Sequence, residues 1–290
     1  MSSADGERVA KVIARAGLCS RRAAERLIAA GRVAVDGVIL ESPAVTVGPD
    51  NRVTVNGEAL PAPAPPRLFR YHKPAGLVTT ARDPQGRPTV FDRLPAGLPR
   101  LMPVGRLDLA SEGLLLLTND GALKRRLELP ATGWTRRYRV RAFGRVRPER
   151  LAELAKGVRI EDTRYGPIAA HLDSQQGANA WLTMSLAEGK NREVRRVCEH
   201  LGLKVNRLIR VAYGPFQLGK LAPGAVAEVP PKVLAEQLGE PPPARKVGTA
   251  TAKPRPRKPG GRKRAAPRGA AAGAGPGGGT NSHANRRRPA

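Results

Sequence analysis

Three stretches of this 290-residue chain carry side chains that could do chemistry together. The first is Gly105-Arg106-Leu107-Asp108-Leu109-Ala110-Ser111-Glu112-Gly113, followed by Leu114-Leu115-Leu116-Leu117 and Thr118-Asn119-Asp120-Gly121. The leucine run is short and bounded by Gly113 and Asn119-Asp120-Gly121, which predicts a strand buried on both faces and ending in a turn. Asp108 then lies in the loop feeding that strand, at the edge of the core and next to Arg106. A carboxylate there is either half of a structural ion pair or an acid used in a reaction; residue type leaves both open. In the second stretch, Arg137-Tyr138-Arg139-Val140-Arg141, basic and apolar residues alternate, as in a strand with one charged face and with Tyr138 and Val140 on the other. An ordinary core tyrosine would sit the same way. The third, residues 188–197, is predicted to open a helix with Val194, Val197, Cys198 and Leu201 as its buried stripe. Arg195 borders that stripe, while Arg192 and Arg196 lie away from it. A bordering arginine is partly desolvated and can pair with a buried-edge carboxylate more strongly than a surface arginine can. The outer two either hold phosphates or simply face solvent.

Composition indicates the partner such groups would meet. The chain has 51 Lys+Arg against 24 Asp+Glu, a formal charge of +27. Residues 1–66 hold 8 basic and 7 acidic side chains, residues 67–240 hold 30 and 17, and residues 241–290 hold 13 and none. Such an excess argues for a polyanion, nucleic acid or an anionic membrane. No apolar run approaches the roughly 18–20 residues of a membrane span. The start, Met1-Ser2-Ser3-Ala4-Asp5-Gly6-Glu7, lacks the apolar core of a secretory signal. Cys19 and Cys198 are far apart, and His72, His171, His200 and His283 do not cluster. The expectation is a reducing cytosol, with no structural disulfide and no zinc or other metal. No GxGxxG follows a predicted strand and opens a helix, and GxxxxGK[ST] is absent, so no cofactor is expected.

The elements that must position these residues fall into three segments. Pro61-Ala62-Pro63-Ala64-Pro65-Pro66 reads as a stiff, extended linker after the first. Residues 241–290 contain 9 Gly, 9 Pro and no aromatic residue, too little apolar surface to offset chain entropy, so a disordered basic tail is predicted. In the leading segment, Val9, Val12, Ile13 and Ala16 share a helical stripe that Gly17 should end. Ser20 should cap a second helix with Ala23, Ala24, Leu27 and Ile28 on its buried side, ended by Gly31. Asp36-Gly37 between Val33-Ala34-Val35 and Val38-Ile39-Leu40 predicts a hairpin, and Asn56-Gly57 repeats that chemistry.

At residues 9–37 the chain resembles the αL RNA-binding module first described in small-subunit ribosomal protein S-four. The resemblance implies that Arg8, Lys11, Arg21, Arg22 and Arg26 meet RNA phosphates. A DNA-reading helix-turn-helix fits less well, because a hairpin directly follows the second helix and the segment's net charge is low. Residues 105–121 resemble the signature of the RsuA/RluB/RluE/RluF family of RNA pseudouridine synthases, with Ser111 where the family usually has Thr. The family's catalytic aspartate then falls on Asp108, its active-site tyrosine on Tyr138, and the arginine partner of the aspartate on Arg195. His72-Lys73-Pro74-Ala75-Gly76 resembles the family's KPxG segment, which with the loop at residues 82–87 is expected to touch RNA. RNA contacts are also expected from Lys73, Arg106, Lys190, Arg192 and Arg196.

The resemblance implies an α+β fold: an αL module over residues 6–60, the linker at 61–66, a catalytic domain of mixed, mainly antiparallel sheet flanked by helices over 67–237, and the tail. The implied reaction is isomerisation of uridine to pseudouridine in ribosomal RNA. The order of segments looks most like the RluB branch, acting on a stem-loop of large-subunit rRNA. A cytoplasmic monomer with no obligate protein partner and no membrane attachment is expected. The alternatives are a small-subunit enzyme of the RsuA kind and a non-catalytic RNA-binding assembly factor. A glycosidase using Asp108 and Glu112 is disfavoured, since the two are four apart in one loop and sugar-stacking aromatics are scarce.

Overall fold

The computed structural model describes residues 6–129 and 133–241. The predicted disorder of the tail therefore falls, from residue 242 onward, outside the described residues. In the leading segment, β1 (Glu7–Arg8) enters α1 (Val9–Arg15), and α2 (Arg21–Ala29) follows. Gly17 at φ +86 ends the first helical turn region. The Ser20 hydroxyl accepts the Ala23 amide proton at 3.1 Å, capping α2 as its position predicts. Four short strands form a sheet in the order β3-β2-β5-β6: β2 (Val33–Val35), β3 (Val38–Ile39), β5 (Val53–Val55) and β6 (Glu58–Ala59). β4 (Thr46–Val47) pairs instead with β1. Asp36 and Gly37 have φ of +50 and +87, and Asn56 and Gly57 +55 and +83, the positive values a two-residue hairpin turn demands. Val9, Ile13, Ala24, Ile28, Val33 and Val53 close a separate small core.

The second segment is built on one large sheet. Its strands are β7 (Leu68–Lys73), β8 (Met102–Val104), β9 (Ser111–Thr118), β10 (Arg136–Phe143), β13 (Ile168–Gln176), β14 (Asn179–Leu186), β15 (Lys204–Tyr213), β16 (Phe216–Gln217) and β17 (Val226–Glu228). The main order is β13-β14-β10-β15-β9-β7-β17. Every pairing is antiparallel except β15 with β9, so the expected mixed, mainly antiparallel sheet is present. A small hairpin, β11 (Val158–Ile160) and β12 (Thr163–Tyr165), stands apart. The helices are α3 (Gly121–Glu128), α4 (Pro148–Glu153), α5 (Glu193–His200) and α6 (Pro231–Leu238). Among the described residues no helix is long and apolar enough to cross a membrane.

The helices cover opposite faces of the two halves of this sheet. Leu151, Val194, Val197 and Cys198 from α4 and α5 pack with Tyr138, Val140, Leu182 and Met184 on one face. Leu123, Leu127 and Leu234 from α3 and α6 pack with Leu68, Leu114 and Leu116 on the other. β9 is buried from both sides, which is why its four consecutive leucines are all 0% exposed. Burying each contributes about 1.5–3 kcal/mol. The predicted turn after β9 has a second use: Asp120 caps α3, accepting the Leu123 amide proton at 2.6 Å.

The one parallel junction depends on a missing side chain. Gly113 lies beside Arg210 in the β9–β15 register, at φ +101. A Cβ there would sit 2.3 Å from the Arg210 carbonyl oxygen and 2.7 Å from its nitrogen. Both are backbone atoms of a central strand and cannot step aside. Gly113→Ala should therefore cost about 3 kcal/mol or more. Urea unfolding measures this, and a loss below about 1 kcal/mol would refute the close approach.

Candidate active site

Asp108 lies in the loop between β8 and β9, as its position before the leucine run predicts, and is half-buried. The loop is gripped through its backbone. Lys73, at the end of β7 and 0% exposed, directs its ammonium at the carbonyls of Pro74 (3.0 Å), Asp108 (3.2 Å), Leu109 (3.4 Å) and Ser111 (2.8 Å). The Gly76 amide donates to the Leu109 carbonyl at 2.8 Å. The Thr79 hydroxyl donates to the Leu107 carbonyl at 2.8 Å. Arg195 of α5 donates to the Ala110 carbonyl at 3.0 Å. Arg210 of β15 reaches the Arg106 carbonyl at 3.5 Å and that of Leu114 at 2.7 Å. The Asp108 carboxylate itself takes no hydrogen bond or ion pair from any described residue.

Two expectations are corrected here. Lys73 is not placed to touch RNA phosphates, because it is enclosed and its ammonium is committed to the Asp108 loop. The direct Asp108–Arg195 ion pair is likewise not formed. Arg195 is only 8% exposed, yet its donors go to backbone carbonyls, at Ala110 and, at 3.4 Å, Val205. Asp108 still acts on both cations through space. Burial lowers the Arg195 pKa, Arg192 adds to that fall, and Asp108 opposes it. Burial brings the Lys73 pKa down to about 8, against the pull of Asp108 and Glu112 in the other direction. Neither the Asp108–Arg106 pairing nor a role for Glu112 as a second free acid is present. Arg106 is exposed, and Glu112 receives two hydrogen bonds from Arg207, each 2.8 Å.

Tyr138 occupies the face of β10 that the alternation predicts: Arg137, Arg139 and Arg141 are exposed, and Tyr138 is 8% exposed. It stands opposite Arg210, which in turn stands opposite Gly113. The sheet thus sets Tyr138, Arg210 and the root of the Asp108 loop side by side on β10, β15 and β9. Arg210 was missed from the sequence. Its signal is an arginine in step with Leu208 and Ala212, on the buried face of its strand. Arg195 Nε and Arg210 Nη2 are buried donors without a protein partner, an arrangement that ordinarily costs about 1–3 kcal/mol per group.

The helix expected to open at residue 188 starts only at Glu193, since residues 190–193 form a turn with Arg192 at φ +51. Buried Glu193 holds that turn by accepting the Lys190 amide proton at 2.8 Å. Burial pushes its carboxyl up to about 7, the Lys190 amide works against the rise, and Glu188 adds to it. The Lys190 ammonium pairs with Glu188 at 2.7 Å and donates to the Arg164 carbonyl at 2.6 Å, so it is already engaged. Arg192 and Arg196 are exposed. In the leading module Arg8, Arg21, Arg22 and Arg26 are exposed too, whereas Lys11 pairs with Glu7 at 2.6 Å.

A small helical RNA-type module ahead of a mixed sheet with an unpaired acid in the loop leading into β9 defines an RNA-modifying enzyme, and comparison with known proteins agrees. Residues 67–200 match the family model described as RNA pseudouridylate synthase, and residues 7–53 match the S4 domain. An uncharacterized RNA pseudouridine synthase of Rickettsia prowazekii is 47% identical over 232 residues, covering 80% of this chain and 97% of that protein. Ribosomal large subunit pseudouridine synthase B of Escherichia coli O157:H7 is 45% identical over 227 residues, covering 75% of this chain and 77% of that protein. A crystal structure of a pseudouridylate synthase superposes with a TM-score of 0.55 at 27% identity, covering 80% of this chain and 98% of that one. The chain belongs to the RNA pseudouridine synthase family.

The buried ammonium makes stability depend on pH. Lys73 titrates near 8 in the fold and near 10.5 when unfolded, so the unfolded chain binds more protons between those values. Stability contributed at this site must rise with pH through that window. Urea midpoints of wild type and Lys73→Met, compared from pH 7.5 to 10, should move apart in favour of wild type. Parallel curves would refute a depressed Lys73.

Proposed function

We propose that this enzyme converts a uridine of large-subunit ribosomal RNA to pseudouridine, with Asp108 as the essential group. The observation that carries the reading is the Asp108 loop, held by backbone contacts while its carboxylate is left without a protein partner. In the isomerisation, the bond between ribose C1′ and uracil N1 breaks, the uracil turns, and C1′ bonds to C5. The C5 proton leaves and N1 gains one, so no redox partner and no energy input are needed. An ionised carboxylate has to reach the sugar or the base, and no protein donor stands in its way. The base has to leave its stack, at a cost of a few kcal/mol when paired. The flat ring of Tyr138 offsets part of that cost by packing against the uracil. The unpaired donors of Arg195 and Arg210 offer hydrogen bonds to the incoming nucleotide. Arg106, Arg192 and Arg196, together with Arg8, Arg21, Arg22 and Arg26 of the leading module, hold RNA by its phosphates and shape.

The large subunit is favoured because relatives 43% and 45% identical to this chain over 227 residues are named for it. In this reading the enzyme acts in the cytoplasm and as a monomer. The test combines mapping with a variant. Pseudouridines are mapped in large- and small-subunit rRNA transcripts incubated with wild type and with Asp108→Asn. Wild type should form product in the large-subunit transcript, and the variant should fold and bind RNA while its rate falls at least about 1,000-fold. Product in the small-subunit transcript alone would favour the RsuA-like alternative, and wild-type turnover by Asp108→Asn would overturn the role of the acid.

A further inference from the structure

The face of the sheet opposite Tyr138 is not needed for the chemistry, and it has an unusual composition. β10 presents Arg137, Arg139, Arg141 and Phe143 there, all exposed. The pairing register puts Ser185, Thr183, Trp181 and Asn179 of β14 directly across from them. On the other side, Arg141 faces Arg207 and Phe143 faces Lys204, both exposed on β15. His171 and Ser174 of β13 extend the same rows. Five cations, Arg137, Arg139, Arg141, Arg207 and Lys204, therefore share this area with the carboxylates of Asp173 and Glu112. Arg139 lies 4.6 Å above the Trp181 ring and 3.8 Å from Asp173, and Arg207 is paired with Glu112. Arg137 and Arg141 have no acidic partner among the described residues.

Like charges at neighbouring positions of a sheet repel and cost stability. Arg141 directly opposite Arg207 is such a pair. The apolar cluster containing α3 and α6 ends at β15, through Ile209 and Tyr213, and includes no residue of β10, β13 or β14. The chain beyond residue 241 carries 13 basic and no acidic residues, so its charge is wrong for covering this face. What fits is a polyanion. Arg137, Arg139 and Arg141 stand about 7 Å apart along the strand, a step comparable with that between neighbouring phosphates of a nucleic-acid strand. Phe143, 52% exposed, adds a flat apolar surface beside them.

We infer that the open face of β10, β14 and β13 is a second RNA-binding surface, which holds the sugar-phosphate backbone of a segment flanking the one that enters the active site. The inference rests on the proposed action on ribosomal RNA but not on the choice of catalytic group. Short RNAs fill only the side of the sheet bearing Tyr138, whereas long ones reach both sides.

The test uses the full chain carrying Arg137→Gln with Arg141→Gln, and separately Arg137→Glu with Arg141→Glu. Two probes are compared: a short stem-loop bearing the modified uridine and the whole large-subunit rRNA transcript. On the stem-loop both variants should keep wild-type kcat and KM. On the whole transcript the Gln variant should bind about tenfold more weakly, with the slope of log affinity against log salt smaller by about one to two. The Glu variant should be weaker still. Unchanged affinity and slope for the Gln variant on the long RNA would overturn the inference, as would equal losses on both RNAs. If wild type modifies neither RNA, the proposed function fails, while the binding slopes still report on this surface.

Discussion

The structure depends on cations buried for the sake of backbone carbonyls. Lys73, Arg195 and Arg210 come from β7, α5 and β15, and each gives at least one donor to the polypeptide of residues 106–114. Burying an ammonium or guanidinium is expensive unless it is hydrogen-bonded. Here a single turn of chain supplies the acceptors, so the turn cannot shift without stranding three charges. The acid on that turn is thereby fixed in place without being neutralised. A direct ion pair would have tied up that carboxylate.

This arrangement ties the Asp108 loop to the order of the strands. The parallel junction of β9 and β15 brings Arg210 beside Gly113, and the antiparallel junction of β15 and β10 brings it opposite Tyr138. Glycine at 113 is a condition of the first contact, since any side chain would collide with the Arg210 backbone. The Lys73-Pro74-Ala75-Gly76 stretch and Thr79 complete the clamp from the other side. What looks like an RNA-facing basic motif in sequence is in large part a brace. In the half of the sheet formed by β10, β14 and β13, apolar packing lies on the Tyr138 side and exposed arginines on the reverse.

Electrostatics divides the basic residues by purpose. Lys73 and Arg210 are internal, Lys190 and Arg207 are satisfied by nearby carboxylates, and Arg106, Arg192 and Arg196 remain exposed. A formal charge of +27 therefore overstates the number of contacts any RNA can make, although it sets the long-range attraction that brings RNA to the surface.

Sequence alone determined the local pieces. Asp36-Gly37 and Asn56-Gly57 specified their turns, Ser20 its helix cap, the leucine run a strand buried on both faces, and the Arg137–Arg141 alternation a two-sided strand. Each is set by the conformational limits or hydrophobic period of a few neighbouring residues, which no distant contact has to supply. The positions of Asp108 and Tyr138 followed from the same local logic. Only the tertiary structure decided where the cations went. Whether Lys73 faces a phosphate or four carbonyls, whether Arg195 meets a carboxylate or a backbone, and that Arg210 belongs to the site at all are fixed by strands far apart in the chain. A charged side chain takes whichever partner the fold brings within about 3 Å, and that distance is a property of packing rather than of residue order.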